Sequence, residues 1–214
     1  MLKTLNMKIA VFGATGGTGI EIIKQALAQG HEITALVRDP QKLSLNDKKL
    51  NIIKGDVLNK DDVSKMVKGS DAVLVALGVK PPSKAIVVGP GTKNIIEAMK
   101  EQSIKRLIVQ SAMFMDDTVR KNSLLVSLLT KTFMKGLYDD KLVQEAAVRE
   151  SGLEWVILRP VGLKNGSKTE TYRFGESLKL KGLFPMISRA DVADFMIKQL
   201  QSDANLHKMV LVAN

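Results

Sequence analysis

The segment MKIAVFGATGGTGIEIIKQALAQGHEITALVRDP, Met7 to Pro40, runs an apolar stretch through a glycine-rich turn into a helical pattern, then a second apolar stretch that leads into Arg38. The run KIAVF has the β-branched, apolar character of a strand ending at Phe12, and IEIIKQALAQ carries its apolar residues at helical spacing. Gly13, Gly16 and Gly19 lie between them. A glycine turn directly before a helix leaves the first N–H groups of that helix without intrahelical partners, facing outward. With the roughly +0.5 charge of a helix N-terminus they make an anion site, and glycine lets the anion reach the main chain without meeting a Cβ atom. Strand, turn, helix and next strand follow in the order that a dinucleotide-binding unit needs, which makes a pyrophosphate the expected anion.

Arg38 closes the second strand, where the adenosine ribose of a dinucleotide would lie. An acid at this place holds a 2′-hydroxyl and an arginine accommodates a 2′-phosphate. Guanidinium forms charge-assisted, often bidentate bonds to phosphate, so Arg38 favours NADP(H) over NAD(H). The alternative is a surface arginine paired with the neighbouring Asp39.

The rest of the chain alternates in the same manner. Short apolar runs at 32–37, 51–54, 71–77, 105–110 and 154–159 are separated by segments of helical periodicity, the signature of βαβ units. Runs such as AVLVAL are apolar on both faces, as in a parallel sheet covered by helices on both sides. The expected fold is α/β, a Rossmann-type, doubly wound, mostly parallel sheet. With 214 residues and no Pro/Gly/Ser linker, one domain over 1–214 is expected, residues 1–6 being an extension ahead of the first strand.

Composition excludes several classes. There are no cysteines, so a disulfide framework and a Cys-based metal site are ruled out, and a cytoplasmic location is expected. No run approaches the ~18 apolar residues of a membrane span. The net charge is +10, but the 32 Lys and Arg residues are scattered and aromatics are few, so a nucleic-acid partner is not expected. His31 and His207 are far apart and lack partners at ligand spacing, so no metal is predicted. Asp61, Asp62, Asp116 and Asp117 suit the first turns of helices, and Trp155 suits the core.

GATGGTG (13–19), LVRDP (36–40), GDVLNKDDV (55–63), DAVLVALG (71–78), QSA (110–112), RESGLEWVILRP (149–160) and SRADVADFM (188–196) together resemble the atypical short-chain dehydrogenase/reductase group. Within it the chain is most similar to the biliverdin IXβ reductase/flavin reductase family and its NmrA-like relatives. The resemblance implies hydride transfer from NADPH to a planar small-molecule acceptor such as a flavin, a quinone or a linear tetrapyrrole, by a monomer or weak homodimer. It assigns Gly13, Thr15, Gly16, Gly17 and Thr18 to the phosphate loop, Arg38 to the 2′-phosphate, Asp56 and Val57 to the adenine, and Leu77 and Gly78 to the ribose and nicotinamide. Asp56 also suits a turn or cap before the next helix. A non-catalytic NmrA-like NADP sensor and a sugar or carbonyl dehydrogenase are the alternative functions.

For the chemical step the resemblance points to Ser111, as the hydroxyl that orients the acceptor, and to Lys141 with Glu145, as the K-x-x-x-E of the lysine-bearing helix. The alternatives are a loop cap and an exposed helix charge. Tyr138 departs from the Y-x-x-x-K spacing of the superfamily. Leu137 stands at the tyrosine position, and one residue turns a helix face by about 100°. That departure suits an acceptor that takes hydride without a protein acid. Finally, RKNSLLVSLLTKTFMKGLY (120–138) forms an apolar and basic helical pattern, expected to be a lid, a subunit contact, a membrane-surface helix or a helix packed on its own domain.

Overall fold

In the computed structural model the residues described are 6–79, 86–180, 182 and 185–214, with the main chain alone for 122, 124, 125 and 129. The proposed extension therefore falls almost wholly outside them. The elements are β1 (Lys8–Phe12), α1 (Gly17–Ala28), β2 (Glu32–Val37), β3 (Leu50–Lys54), α2 (Lys60–Val67), β4 (Ala72–Val75), α3 (Val88–Glu101), β5 (Arg106–Gln110), α4 (Asp117–Asn122), α5 (Leu124–Lys131), α6 (Lys135–Arg149), β6 (Glu154–Pro160), β7 (Gly162–Lys164), β8 (Arg173–Gly175), β9 (Met186–Ser188), α7 (Arg189–Lys198) and β10 (Lys208–Ala213).

Eight strands form one sheet in the order β3-β2-β1-β4-β5-β6-β10-β8, parallel except for β8 at the edge, while β7 and β9 make a separate parallel pair. The first six positions follow the 3-2-1-4-5-6 order of a doubly wound fold, with the chain reversing direction across the sheet between β1 and β4. Alternation along each strand sorts the side chains into two cores. Ile9 and Val11, with Leu74, Ile108 and Leu158, pack beneath α1 and α7 through Ile22, Ile23 and Phe195. Ala10 and Phe12, with Val73, Val109 and Ile157, pack beneath α2, α3 and α6 through Val63, Ile95, Met99 and Val148. This two-sided burial is why the strands read as continuous apolar runs.

The segment 120–138 is not one helix. Asp116 caps α4 by accepting from the N–H groups of Thr118 and Val119, Ser123 caps α5 by accepting from Val126 N–H at 3.3 Å, and α6 begins afresh at Lys135. The apolar periodicity runs across these breaks, but the Asp116 and Ser123 side chains compete for the backbone and start α4 and α5 afresh, while α6 begins after Met134 with no side-chain cap. Asp61 and Asp62 lie in the first turn of α2, and Trp155 is buried, as expected.

Candidate functional site

The glycine turn after β1 is built by close main-chain approach. Gly13 has φ +82°, in the left-handed region, and a Cβ there would lie 2.4 Å from the carbonyl oxygen of Ala76, on the chain leaving β4. A Cβ at Gly19 would lie 2.2 Å from the Gly13 carbonyl oxygen. The Gly13 carbonyl instead accepts from Gly16 N–H at 3.0 Å, which turns the chain into α1. Gly16 is the N-cap of α1 and no side chain caps the helix. Thr15, Gly16 and Gly17 are exposed while Thr18 is buried, so three of the five loop residues face outward at the head of the helix. An open helix N-terminus with no Cβ in the way fits a pyrophosphate. Gly19, which packs against Gly13 rather than facing outward, adds a structural role to the motif.

Arg38 is exposed at the end of β2 and, among the described residues, forms no hydrogen bond or ion pair. Asp39 is occupied: its carboxylate accepts from Gln41 N–H at 3.2 Å and lies 3.8 Å from Lys42 Nζ. Arg38 is thus free to meet a ligand. Asp56 accepts from Leu58 N–H at 2.9 Å, closing the turn after β3, which the sequence left as an alternative to adenine contact. Val57 is buried against Gly91 of α3, and its carbonyl accepts from Asn94 Nδ2 at 3.0 Å. Leu77 and Gly78 follow β4, with Gly78 exposed and open space where its Cβ would stand.

A second cluster stands where β5 and β6 end. Ser111 N–H donates to the Leu158 carbonyl at 2.7 Å, and its hydroxyl donates to Glu145 Oε1 at 2.6 Å. Arg159, from β6, donates to both Glu145 oxygens at 3.0 and 2.7 Å and to Asp116 Oδ2 at 3.3 Å. Burial pushes the guanidinium towards losing its proton, but the hydrogen bonds and charges of Glu145 and Asp116 outweigh it and hold the proton more firmly than usual. Sequence analysis missed Arg159 and the part Asp116 plays with it. The RP after the sixth apolar run is a visible signal only in retrospect, because its partners lie 14 and 43 residues away.

Lys141 is fully buried rather than exposed. Its ammonium donates to the Leu77 carbonyl at 3.2 Å, to the Gln110 carbonyl at 2.8 Å and to Gln144 Oε1 at 2.7 Å. Burial pushes its pKa down to about 8, with the charges of Glu145 and Asp140 offsetting part of the shift. It joins the ends of β4 and β5, the two strands beside the expected nicotinamide position.

Ser111 opens onto a cavity of about 470 Å³ whose other walls include Met113, Phe114, Val126, Met134, Leu137 and Leu163. Leu137 lines it, whereas Tyr138 does not. Tyr138 faces a separate hollow with Lys131 and Lys135, its hydroxyl bonded to Arg120, whose guanidinium lies 4.8 Å from the ring centre. The structure therefore brings Ser111, Lys141 and Glu145 together and sets Tyr138 apart, as the one-residue shift on α6 requires. Among the described residues, no helix is long and apolar enough to cross a membrane, and no cluster of acids and histidines could hold a metal ion.

The NAD(P)H-binding family matches residues 13–203. An uncharacterized chloroplastic protein of Arabidopsis thaliana is 30% identical over 215 aligned positions, taking in 95% of this chain and 75% of that protein. Two solved structures share the fold: a short-chain dehydrogenase/reductase of Veillonella parvula in complex with NADP, with TM-score 0.79 at 18% identity over 98% of this chain and 95% of its own, and the anaerobilin reductase ChuY of Escherichia coli O157:H7, with TM-score 0.77 at 18% identity over 96% of each. With the glycine turn inside the matched residues, the chain belongs to the NAD(P)H-binding family and takes a nicotinamide cofactor.

Proposed function

We infer that the protein is an NADPH-dependent reductase of a planar, conjugated acceptor such as a flavin, a quinone or a linear tetrapyrrole. The observation that carries this is the apolar cavity beside Ser111, walled by Leu137 where the superfamily places its proton-donating tyrosine. An apolar pocket with few polar groups binds a ring system by burying its faces. Arg38, exposed and unpaired among the described residues, supports the choice of NADP(H) over NAD(H).

The bound cofactor supplies the hydride. The chain's own groups then have three tasks. The turn at Gly13–Thr18 and the first N–H groups of α1 hold the pyrophosphate. Lys141 fixes the carbonyls of Leu77 and Gln110, and with them the ends of β4 and β5 against which nicotinamide and acceptor would lie. Ser111 gives its proton to Glu145, an acceptor already tied to Arg159, so it meets the cavity with lone pairs and not with a donated proton. Ser111 can therefore accept from an N–H or O–H of the acceptor and orient it, whereas it cannot stabilise a developing alkoxide. Among the described residues lining this cavity there is no acid for a simple carbonyl, while a conjugated acceptor spreads the incoming charge over its own ring system.

The test is to mix the protein with NADPH and, separately, FMN, riboflavin, a quinone and biliverdin, and to follow absorbance at 340 nm. Catalytic loss of absorbance with one of these acceptors is expected. Tight NADPH binding with no turnover on any of them would replace the reductase with the NADP-sensing alternative.

A further inference from the structure

We propose that Arg189, about 170 residues beyond the glycine turn in sequence, is the clamp that closes over the cofactor pyrophosphate. This rests on the dinucleotide site assigned above and adds a residue to it from the opposite end of the chain.

Gly17, the first residue of α1, lacks a side chain for a reason in space. A Cβ there would lie 2.5 Å from Arg189 Cδ and 2.8 Å from its Nε. The arginine stem thus crosses the head of α1 and brings the guanidinium to the phosphate-binding turn. Its position is held from below, where Gln25 Nε2 of α1 donates to the Ala190 carbonyl at 2.9 Å and locks the start of α7 onto α1. The guanidinium itself donates to Asn165 Oδ1 at 2.9 Å.

Electrostatics give the arrangement its meaning. Arg189 is the first residue of α7, where the helix dipole disfavours a cation, and it reaches the N-terminus of α1, where the same is true. Among the described residues no carboxylate pairs with it. Asp191, the nearest acid in sequence, is engaged with Ser188 Oγ, with Thr169 N–H and Oγ1 and with Glu170 N–H. Asp191 complements the α7 terminus, but the Arg189 guanidinium and the open α1 terminus meet with no carboxylate paired to either among the described residues, which is unfavourable until an anion arrives. A planar guanidinium beside an open helix terminus suits two neighbouring phosphates by bidentate contact. The pyrophosphate is common to NADPH and NADH, so Arg189 serves both, whereas Arg38 would serve NADPH alone.

The experiment is calorimetric titration of NADPH and NADH into wild type, Arg189→Gln and Arg38→Ala, with a thermal melt of each cofactor-free protein. Arg189→Gln should weaken both cofactors by the same factor, about 10- to 150-fold, while its cofactor-free melting temperature stays equal to wild type or rises. Arg38→Ala should lose a similar factor for NADPH and leave NADH unchanged. Arg189→Lys, which keeps the charge and loses the fork, should fall between wild type and Arg189→Gln. Unchanged affinities in Arg189→Gln, a loss confined to NADPH, or a lowered cofactor-free melting temperature would each overturn the clamp. Failure of the wild type to bind either cofactor would instead overturn the dinucleotide site on which the clamp rests.

Discussion

Two helices begin at the same edge of the sheet, α1 after β1 and α3 after β4, and the chain treats their N-termini in opposite ways. α3 has Val87 at its N-cap, which offers no side-chain acceptor, yet Asp140 reaches over from α6 and accepts from the N–H groups of Val87, Val88 and Gly89 at 3.0, 2.9 and 2.7 Å. α1 has Gly16 at its N-cap and, among the described residues, receives no side-chain acceptor. A missing cap costs about 0.5–2 kcal/mol. The chain recovers that cost at α3 through a residue 51 to 53 positions away and leaves it standing at α1. Unsatisfied donors kept at one terminus and closed at its neighbour are the contrast on which the proposed phosphate site rests. The same contrast extends outward. Among the described residues Arg38 and Arg189 lack acidic partners on the α1 side, while Ser111, Glu145, Arg159 and Lys141 on the other side are bonded within the protein.

The strongest way to break this contrast is to close the open terminus. In Gly16→Val the new Cβ would lie 3.2 Å from the Gly13 carbonyl oxygen, a tight contact that calls for a small shift of the turn, and its branches would stand over the first N–H groups of α1. Binding of NADPH and NADH should fall by more than about 100-fold with an unchanged circular dichroism spectrum. Retained binding in the folded variant would mean that the open terminus is not the phosphate site.

Opening the closed terminus should act on stability instead. Asp140→Ala leaves three buried or half-buried N–H groups without their acceptor, a loss of about 2–4 kcal/mol in denaturant unfolding. Cofactor affinity, measured well below the unfolding midpoint, should hardly change. A loss of affinity without a loss of stability would reverse the roles given to α1 and α3.

The two sides also differ in how far the sequence disclosed them. Gly13, Gly16, Gly19 and Arg38 act through the main chain and through local order, so a stretch of some thirty residues carried their geometry. The acceptor side is assembled from distant pieces. Ser111 meets Glu145 across 34 residues, Lys141 meets Leu77 across 64, and each bond is set by packing and not by spacing. Hence Lys141 was open to being an exposed charge, and the Arg159–Asp116 contact went unseen. Short strands escaped for another reason. β7, β8 and β9 have three residues each, too few for period-two alternation to register.

Lys141 offers a smaller, pH-dependent test. In the folded protein its proton is held only up to pH about 8, against 10.5 for an unburied lysine, so between these values the unfolded chain binds one proton more. Stability from this group therefore rises with pH across that window, by about 1.4 kcal/mol per unit, and its cost is fully present below pH 8. The difference in unfolding free energy between wild type and Lys141→Met removes the titrations common to both. That difference should move in favour of wild type from pH 8 to pH 10. A flat difference would show that the carbonyls of Leu77 and Gln110 keep the proton in place throughout.

The smallest effects are expected where the superfamily would have the largest. In the proposed reductase Ser111 would contribute one hydrogen bond to acceptor orientation, about 0.5–1.5 kcal/mol, so Ser111→Ala should lower turnover with the best acceptor by roughly 2- to 13-fold. Tyr138 faces away from the cavity and is bonded to Arg120, so Tyr138→Phe should change turnover by less than about twofold. A general acid, by comparison, supplies about 10²–10⁴ in rate. Steady-state rates of the two variants separate these cases directly. If Tyr138→Phe lost two or more orders of magnitude, α6 would have to turn its next residue into the cavity during catalysis. The acceptor would then be a carbonyl protonated by tyrosine, and the satisfied cluster around Ser111 would be a resting arrangement instead of the working one.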